Sequence, residues 1–233
     1  MKRFMQFWIS MTAVLVLATM AWADSGNQLQ KNQTHWYQAA ATLVGPVEGL
    51  SAKSGTLLTL QSGSAVYMVG GSTLHEYQIN AHSLKGSAVV KGSSTDLAAA
   101  LKAGKIGSMS LVIPLSTFKS HEGGLDDNAA KALKAKEDPE IRFDLTKEKL
   151  TAGTAADTYT MTATGNLTIA GEAAPVVLTA DVTVKDNQIH LKGVQKLKMT
   201  DFKITPPSIS LVVTSITCTD EISVYYDVIF AAK

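Results

Sequence analysis

Residues 126–145 read DDNAAKALKAKEDPEIRFDL, and they carry a helix, a stop and the start of a strand. Asp126 or Asp127 is placed to cap the helix by accepting backbone N–H bonds. Ala129, Ala130, Ala132, Leu133 and Ala135 are strong helix formers. Lys131, Lys134 and Lys136 bring positive charge toward the negative end of the helix dipole. Pro139 forbids continuation and pushes Asp138 into extended geometry. Ile141, Phe143 and Leu145 then alternate with Arg142, Asp144 and Thr146, the period of a half-buried strand. A short helix therefore delivers the chain into a sheet with one apolar face. The question for function is what that face encloses.

The chain beyond this stretch repeats the pattern. Tyr159, Met161, Ala163, Leu167 and Ile169 alternate with Thr160, Thr162, Thr164 and Thr168. Residues 171–175 read as a tight connection. Val176, Leu178, Ala180, Val182 and Val184 alternate in turn with Thr179, Asp181 and Thr183, and Asp186-Asn187 turns the chain. Residues 189–204 read as a strand interrupted at Gly193, with Pro206-Pro207 as its stop. The last segment puts Ile222, Val224, Tyr226, Val228 and Phe230 on one face, and Ser223, Tyr225 and Asp227 on the other.

Upstream, residues 65–81 (AVYMVGGSTLHEYQINA) read as one strand bent at Gly70-Gly71, with Thr73, His75, Tyr77, Ile79 and Ala81 on one face. Residues 82–86 form a turn and 87–91 a returning strand. Asp96 or Thr95 caps a short helix over 97–103, stopped at Gly104. Residues 106–115 form a strand with Met109, Leu111 and Ile113 on one face, followed by a polar loop over 117–124. The sum is about eight short strands with two short helices, which favours an antiparallel sandwich or a closed barrel. Closure removes the unpaired edges that invite aggregation. A barrel of that size fills itself with side chains or holds a small ligand. The inward residues here are Val, Leu, Ile, Met and Ala, which suit an apolar guest.

Lys2 and Arg3 precede an apolar run over 4–20, and Ala21-Trp22-Ala23 has the small-x-small form of a cleavage site. Residues 1–23 are thus expected to be a signal peptide cleaved after Ala23, leaving a periplasmic or secreted chain. The 233 residues carry 21 Lys and Arg against 20 Asp and Glu, a formal charge of +1. Losing Lys2 and Arg3 brings it to about −1, with no basic run to bind nucleic acid. No later segment is long and apolar enough to cross a membrane as a helix. Residues 24–62 read as an N-terminal extension, with a short helix from Trp36 to Val44 and a short strand near 56–60. Residues 63–233 form the main domain.

Chemistry-bearing motifs are sparse. His35, His75, His82, His121 and His190 lack the spacing of a zinc site. No serine stands in a nucleophile elbow. Asp126-Asp127-Asn128 opens like a calcium loop but lacks its glycine and distant glutamate. Cys218 is the single cysteine and reads as a small buried residue in a strand. The expectation is a protein with no catalytic residues, no metal and no cofactor.

Four places together resemble the YceI-like family, exported bacterial proteins of the lipid- and polyisoprenoid-binding type. They are Gly71-Ser72-Thr73-Leu74-His75-Glu76-Tyr77, then Ala132-Leu133 with Pro139-Glu140-Ile141-Arg142-Phe143. After these come Gly165-Asn166-Leu167-Thr168-Ile169-Ala170-Gly171 and Met199-Thr200-Asp201-Phe202-Lys203-Ile204 before Pro206-Pro207. The likeness spans about residue 64 to the C-terminus. It implies an all-β fold, an extended antiparallel lipocalin-like β-barrel with a long apolar tunnel. It also implies a non-enzymatic role, holding a polyisoprenoid or similar amphiphile for transport or storage.

The expected tunnel wall is Tyr77, Ile141, Phe143, Met161, Leu167, Leu178, Val182, Val224, Tyr226 and Val228. His75 is a candidate for bonding a head group at the wall. The partner is then an apolar lipid-like molecule, with homodimerisation left open. Two other readings share the same periodicity, a ligand-free adhesion module and an outer-membrane barrel. Spanning barrels carry aromatic girdles, whereas Trp8 and Trp22 fall in the leader and only Trp36 follows it.

Overall fold

The structure, a computed structural model, describes residues 44–45, 55–91, 96–104, 106–210 and 215–232. The expected leader, its cleavage site and residues 36–43 of the expected N-terminal helix lie outside them. Val44, expected to end that helix, stands instead in a two-residue strand, β1 (Val44–Gly45), parallel to Leu84 and Lys85. The following strands are β2 (Gly55–Leu60), β3 (Ala65–Ser72), β4 (Glu76–Ala81) and β5 (Leu84–Lys91). Helix α1 (Leu97–Lys102) leads to β6 (Ile106–Pro114), a 3-10 turn (Leu115–Thr117) and β7 (Phe118–Lys119). Helix α2 (Gly123–Ala132) precedes β8 (Glu140–Ala152), β9 (Thr158–Ile169), β10 (Glu172–Lys185) and β11 (Gln188–Lys198). A second 3-10 turn (Met199–Phe202), β12 (Ser208–Ser210) and β13 (Ser215–Ala232) complete the described chain.

Eight strands close into an antiparallel ring in the order β2, β5, β6, β8, β9, β10, β11, β13 and back to β2. This is the all-β, lipocalin-like antiparallel barrel with two short helices that the sequence predicts. The closing strand is β2. Residues 55–59 pair with 91–87 of β5, and Leu58, Thr59 and Leu60 pair with Ala232, Ala231 and Phe230 of β13. Residues 55–60, read from sequence as part of an extension, therefore belong to the barrel wall. Their signal was weak because six residues between loops show little periodicity. Strands β3, β4 and β7 continue the sheet from the other half of β13.

Turn chemistry fixes the hairpins. Ala170 and Gly171 have φ of 51° and 79°, and Asp186 and Asn187 have 52° and 57°. Two successive positive φ values suit the right-handed twist of a two-residue hairpin. The β9–β10 connection is thus Ala170-Gly171, shorter than the expected 171–175, and Glu172 already belongs to β10. The expected single strand over 65–81 is a hairpin. Ser72 Oγ accepts from the N–H groups of Leu74 (3.2 Å) and His75 (3.1 Å) and donates to the His75 carbonyl (2.7 Å). This local side-chain closure turns the chain without a glycine at the turn, and Gly70 and Gly71 lie inside β3.

Helix α2 starts earlier than its aspartates suggest. Its N-cap is Glu122, which makes no side-chain cap bond. Asp126 lies in the first turn and accepts from Ser120 N–H and Ser120 Oγ, both at 2.7 Å. Partial burial pushes its carboxyl upward, but the Ser120 bonds and nearby Lys119 outweigh this and hold it below the usual carboxylate range. The helix ends at Ala132. Lys134 takes φ 52°, Ala135 N–H bonds the Ala130 carbonyl at 2.9 Å, and Lys134 N–H bonds Lys131 at 3.1 Å. This paired reversal stops the helix before Lys136. Lys134 Nζ then donates to the Ala170 carbonyl at 3.3 Å, tying the helix end to the β9–β10 turn. In contrast, α1 begins as expected, with Asp96 accepting from Ala99 N–H at 2.9 Å, and Gly104 at φ 61° follows it.

In the core, Leu58, Ile79, Val90, Leu97, Val182 and Phe230 are almost fully buried. A second cluster of Ile169, Ala170, Met199, Phe202 and Ile204 forms around the second 3-10 turn. Replacing Leu58 (0 % exposed) by Ala should cost about 2–5 kcal/mol of unfolding free energy. Urea denaturation checks this. A loss within about 0.5 kcal/mol, the range of a surface change, would remove β2 from the closure.

Candidate functional site

Inside the ring lies a cavity of about 440 Å³. Such a volume falls in the range of small-molecule sites. Its wall is built by strand alternation. Ile141 and Phe143 come from β8, Met161 and Leu167 from β9, and Leu178 from β10. Val224, Tyr226 and Val228 come from β13, and Tyr77 from β4. Of the expected wall residues, Val182 alone is not at the cavity. It is 1 % exposed, pairs with Leu191 and packs in the solid core.

Aromatic residues lie flat against this wall. Gly70 pairs with Tyr77 across β3–β4, and Gly193 pairs with Tyr226 across β11–β13. Gly165 of β9 is diagonal to Phe143 of β8. In each case the ring end occupies the place that a side chain on the glycine would take. A ring beside an alanine or valine would have to stand farther into the lumen.

Strands β10 and β11 part company within the wall. Their ladder runs from Lys185 opposite Gln188 to Asp181 opposite Lys192. Just past it, Tyr226 Oη donates to the Thr179 carbonyl at 2.7 Å, reaching across Gly193. Burial, and secondly the charge of Asp181, push the Tyr226 phenol up to about 12. Lys203 Nζ meets Glu172 Oε2 at 2.8 Å near the start of β10. The expected strand over 189–204 is unbroken at Gly193 and stops at Lys198, where the 3-10 turn begins. Asp220 caps that turn, accepting from Thr200 N–H (2.9 Å) and Oγ1 (2.8 Å).

Polar groups are few and lie mainly at the rim. Leu74 and Ile209 line the cavity and are 60 % and 44 % exposed, so the lumen reaches solvent between the β3–β4 turn and β12. His75, Glu122 and Asn128 stand at the same margin. His75 Nε2 is 3.7 Å from Glu122 Oε2, and its Nδ1 lies 2.7 Å from the Glu76 carbonyl. Deeper in the wall, burial first and the Cys218 thiol second raise Tyr77 above the ordinary tyrosine value. Cys218, read as a buried core residue, is half-buried and lines the cavity. Among the described residues, no three His, Cys, Asp or Glu side chains gather as metal ligands. None of the described helices is long and apolar enough to span a membrane.

Several wall residues were missing from the sequence reading. Val66 and Met68 enter from β3, and Leu125, Ala129 and Leu133 from α2 or its end. Met109, Leu111 and Ile113 also line the cavity. Their shared face was legible, but nothing in the alternation ranks one apolar face above another.

The family model described as YceI-like domain matches residues 70–230. The chain belongs to the YceI-like domain family. No curated protein matches it. Among solved structures, this YceI-like chain is similar to Burkholderia cenocepacia BcnA at 19 % identity and a TM-score of 0.55, covering 71 % of this chain and 95 % of that one. It is also similar to a polyisoprenoid binding domain from Saccharophagus degradans implicated in plant cell wall breakdown. There the identity is 11 % and the TM-score 0.54, covering 77 % of this chain and 100 % of that one. At these identities the likeness is one of fold. The closing strand β2 lies outside the matched residues.

Tyr226→Phe in this YceI-like barrel should lower stability by about 1 kcal/mol, the net worth of one hydrogen bond. It should also remove a tyrosine ionisation near pH 12. The folded pKa lies above the unfolded value of about 10. The Tyr226 contribution is therefore complete below that pH and is lost as pH rises through about 12. Ultraviolet difference titration and urea denaturation of both proteins check the two effects.

Proposed function

We propose that this YceI-like protein is a non-enzymatic binding protein that holds the apolar tail of a polyisoprenoid or similar amphiphile in its lumen. Its role is transport or storage outside the cytoplasm. The observation that carries this reading is an apolar cavity of about 440 Å³ that reaches solvent at a rim bearing His75, Glu122 and Asn128. Burying a prenyl tail gains roughly 25 cal/mol for each Å² of apolar surface removed from water. A preformed apolar cavity with a few polar groups at its mouth is sufficient for that. The tail occupies the lumen and the head group stays at the rim beside His75. Family membership and similarity to the Saccharophagus polyisoprenoid binding domain support the reading. The leader-like residues 1–23 support export.

The outward faces speak against a lipid-facing exterior. Lys192 pairs with Asp227 at 3.4 Å and Lys196 with Glu221 at 2.7 Å, both on the outer surface of β11–β13. Charges at mid-wall are costly on the lipid side of a spanning barrel. A solid adhesion module would have no use for an open lumen.

The test is mass spectrometry of an organic extract from protein purified from its own compartment without detergent. A stoichiometric isoprenoid or other long-chain molecule is the expected result. A clean extract from folded protein, together with no binding of added prenyl alcohols, overturns the reading. Leu178→Asp, which places a charge in the wall, should fold and weaken binding of geranylgeraniol by at least about tenfold. Unchanged binding would remove Leu178 from the contact surface.

A further inference from the structure

We propose that Gly70, Gly165 and Gly193 act as specificity determinants, setting the bore of the lumen and so the length of tail it admits. This rests on the tail-binding reading above. All three glycines take inward-facing positions, and each lies under an aromatic ring from a neighbouring strand. A methyl group on Gly70 would overlap Tyr77 Oη and come within 2.5 Å of its Cζ. One on Gly165 would lie 2.5 Å from Phe143 Cε2, and one on Gly193 would lie 2.6 Å from Tyr226 Cζ. Carbon atoms pack at about 3.5–4.0 Å, so the rings hold these positions only because no Cβ is present.

The three pairs stand on different strand pairs: β3–β4 in the sheet that continues from β13, and β8–β9 and β11–β13 within the ring. All three aromatic residues line the cavity. An aromatic side chain presents about 150–250 Å² of surface, enough to obstruct a narrow tube when it stands upright. Folded onto a glycine, the same ring becomes part of the wall. The bore therefore depends on the missing Cβ atoms more than on the residues that touch the ligand.

Gly70 gives the cleanest test. Its nearest neighbours are all atoms of the Tyr77 ring, whereas Gly165 and Gly193 also abut the carbonyls of Asp144 and Thr179. A methyl group at Gly70 can be relieved by moving one side chain into the lumen. The experiment measures Kd for geraniol, farnesol, geranylgeraniol and solanesol by displacement of bound 1-N-phenylnaphthylamine. It compares wild type, Gly70→Ala, Tyr77→Leu and the double variant Gly70→Ala/Tyr77→Leu, with circular dichroism as the check on folding.

The expected result is that Gly70→Ala keeps geraniol binding and weakens the longest tails by about tenfold or more. The double variant binds the longest tails as tightly as its reference Tyr77→Leu, because without the Tyr77 ring the added methyl group has nothing to push into the lumen. If Gly70→Ala fails to fold, Tyr77→Trp puts the same question, since the larger indole overfills the hollow over Gly70. It too should disfavour the longest tails. Equal affinity for every length in wild type and variant, or an equal loss at every length, overturns the role of the glycine and leaves tail binding standing. If wild type binds none of the four alcohols, tail binding itself fails, and the inference with it.

Discussion

The architecture depends on backbone pairing along β13. This single strand of 18 residues pairs with β11 and β12 along one edge and with β2 and β3 along the other. The six residues of β2 bridge β13 to β5 and turn an open sheet into a ring. Closure satisfies backbone donors and acceptors that an edge would leave to solvent or to another chain. It also makes an inside. Without β2, the same apolar faces would be a curved surface open to water.

An eight-stranded ring can close around a filled interior, so the open lumen needs its own explanation. Part of it is small residues, with Ala163 and Ala180 at the wall. Another part is the pairing of aromatic rings with glycines, which stores large side chains along the sheet. Tyr226 serves two purposes at once. Its ring covers Gly193, and its hydroxyl binds the Thr179 carbonyl where β10 has left β11. The hydrogen bond occupies a backbone group at the parting of the two strands, so the wall can open locally with that carbonyl satisfied.

Outside the wall, short elements finish the lumen. Helix α2 places Leu125 and Ala129 at the cavity, and Lys134 fastens its end to the β9–β10 turn. On another side, Asp220 holds the 3-10 turn that brings Met199 and Phe202 over the barrel. These contacts use polar groups that point away from the lumen. The polarity of the molecule is thereby sorted, with ion pairs on the outer faces and hydrocarbon within.

By itself the sequence determined which side chains share a face. Alternation from Ile141 to Phe143, from Met161 to Leu167 and from Val224 to Val228 has a period of two, and side chains on a strand must obey it. The strand start after Pro139 and the Asp186-Asn187 turn were legible for equally local reasons, whereas the helix ends earlier, at Ala132, through the positive φ of Lys134. Tertiary structure decided what local rules do not contain. It placed β2 in the ring, because strand pairing joins residues 58–60 to 230–232 across most of the chain. It folded residues 65–81 into a hairpin through Ser72, whose side-chain bonds compete with a straight strand. It put Val182 into solid core and Leu178 at the cavity, although both share one face of β10. Position along the barrel axis, and the rings that lie over Gly70, Gly165 and Gly193, emerge only when distant strands come into register, and they decide where the interior is full and where it is open.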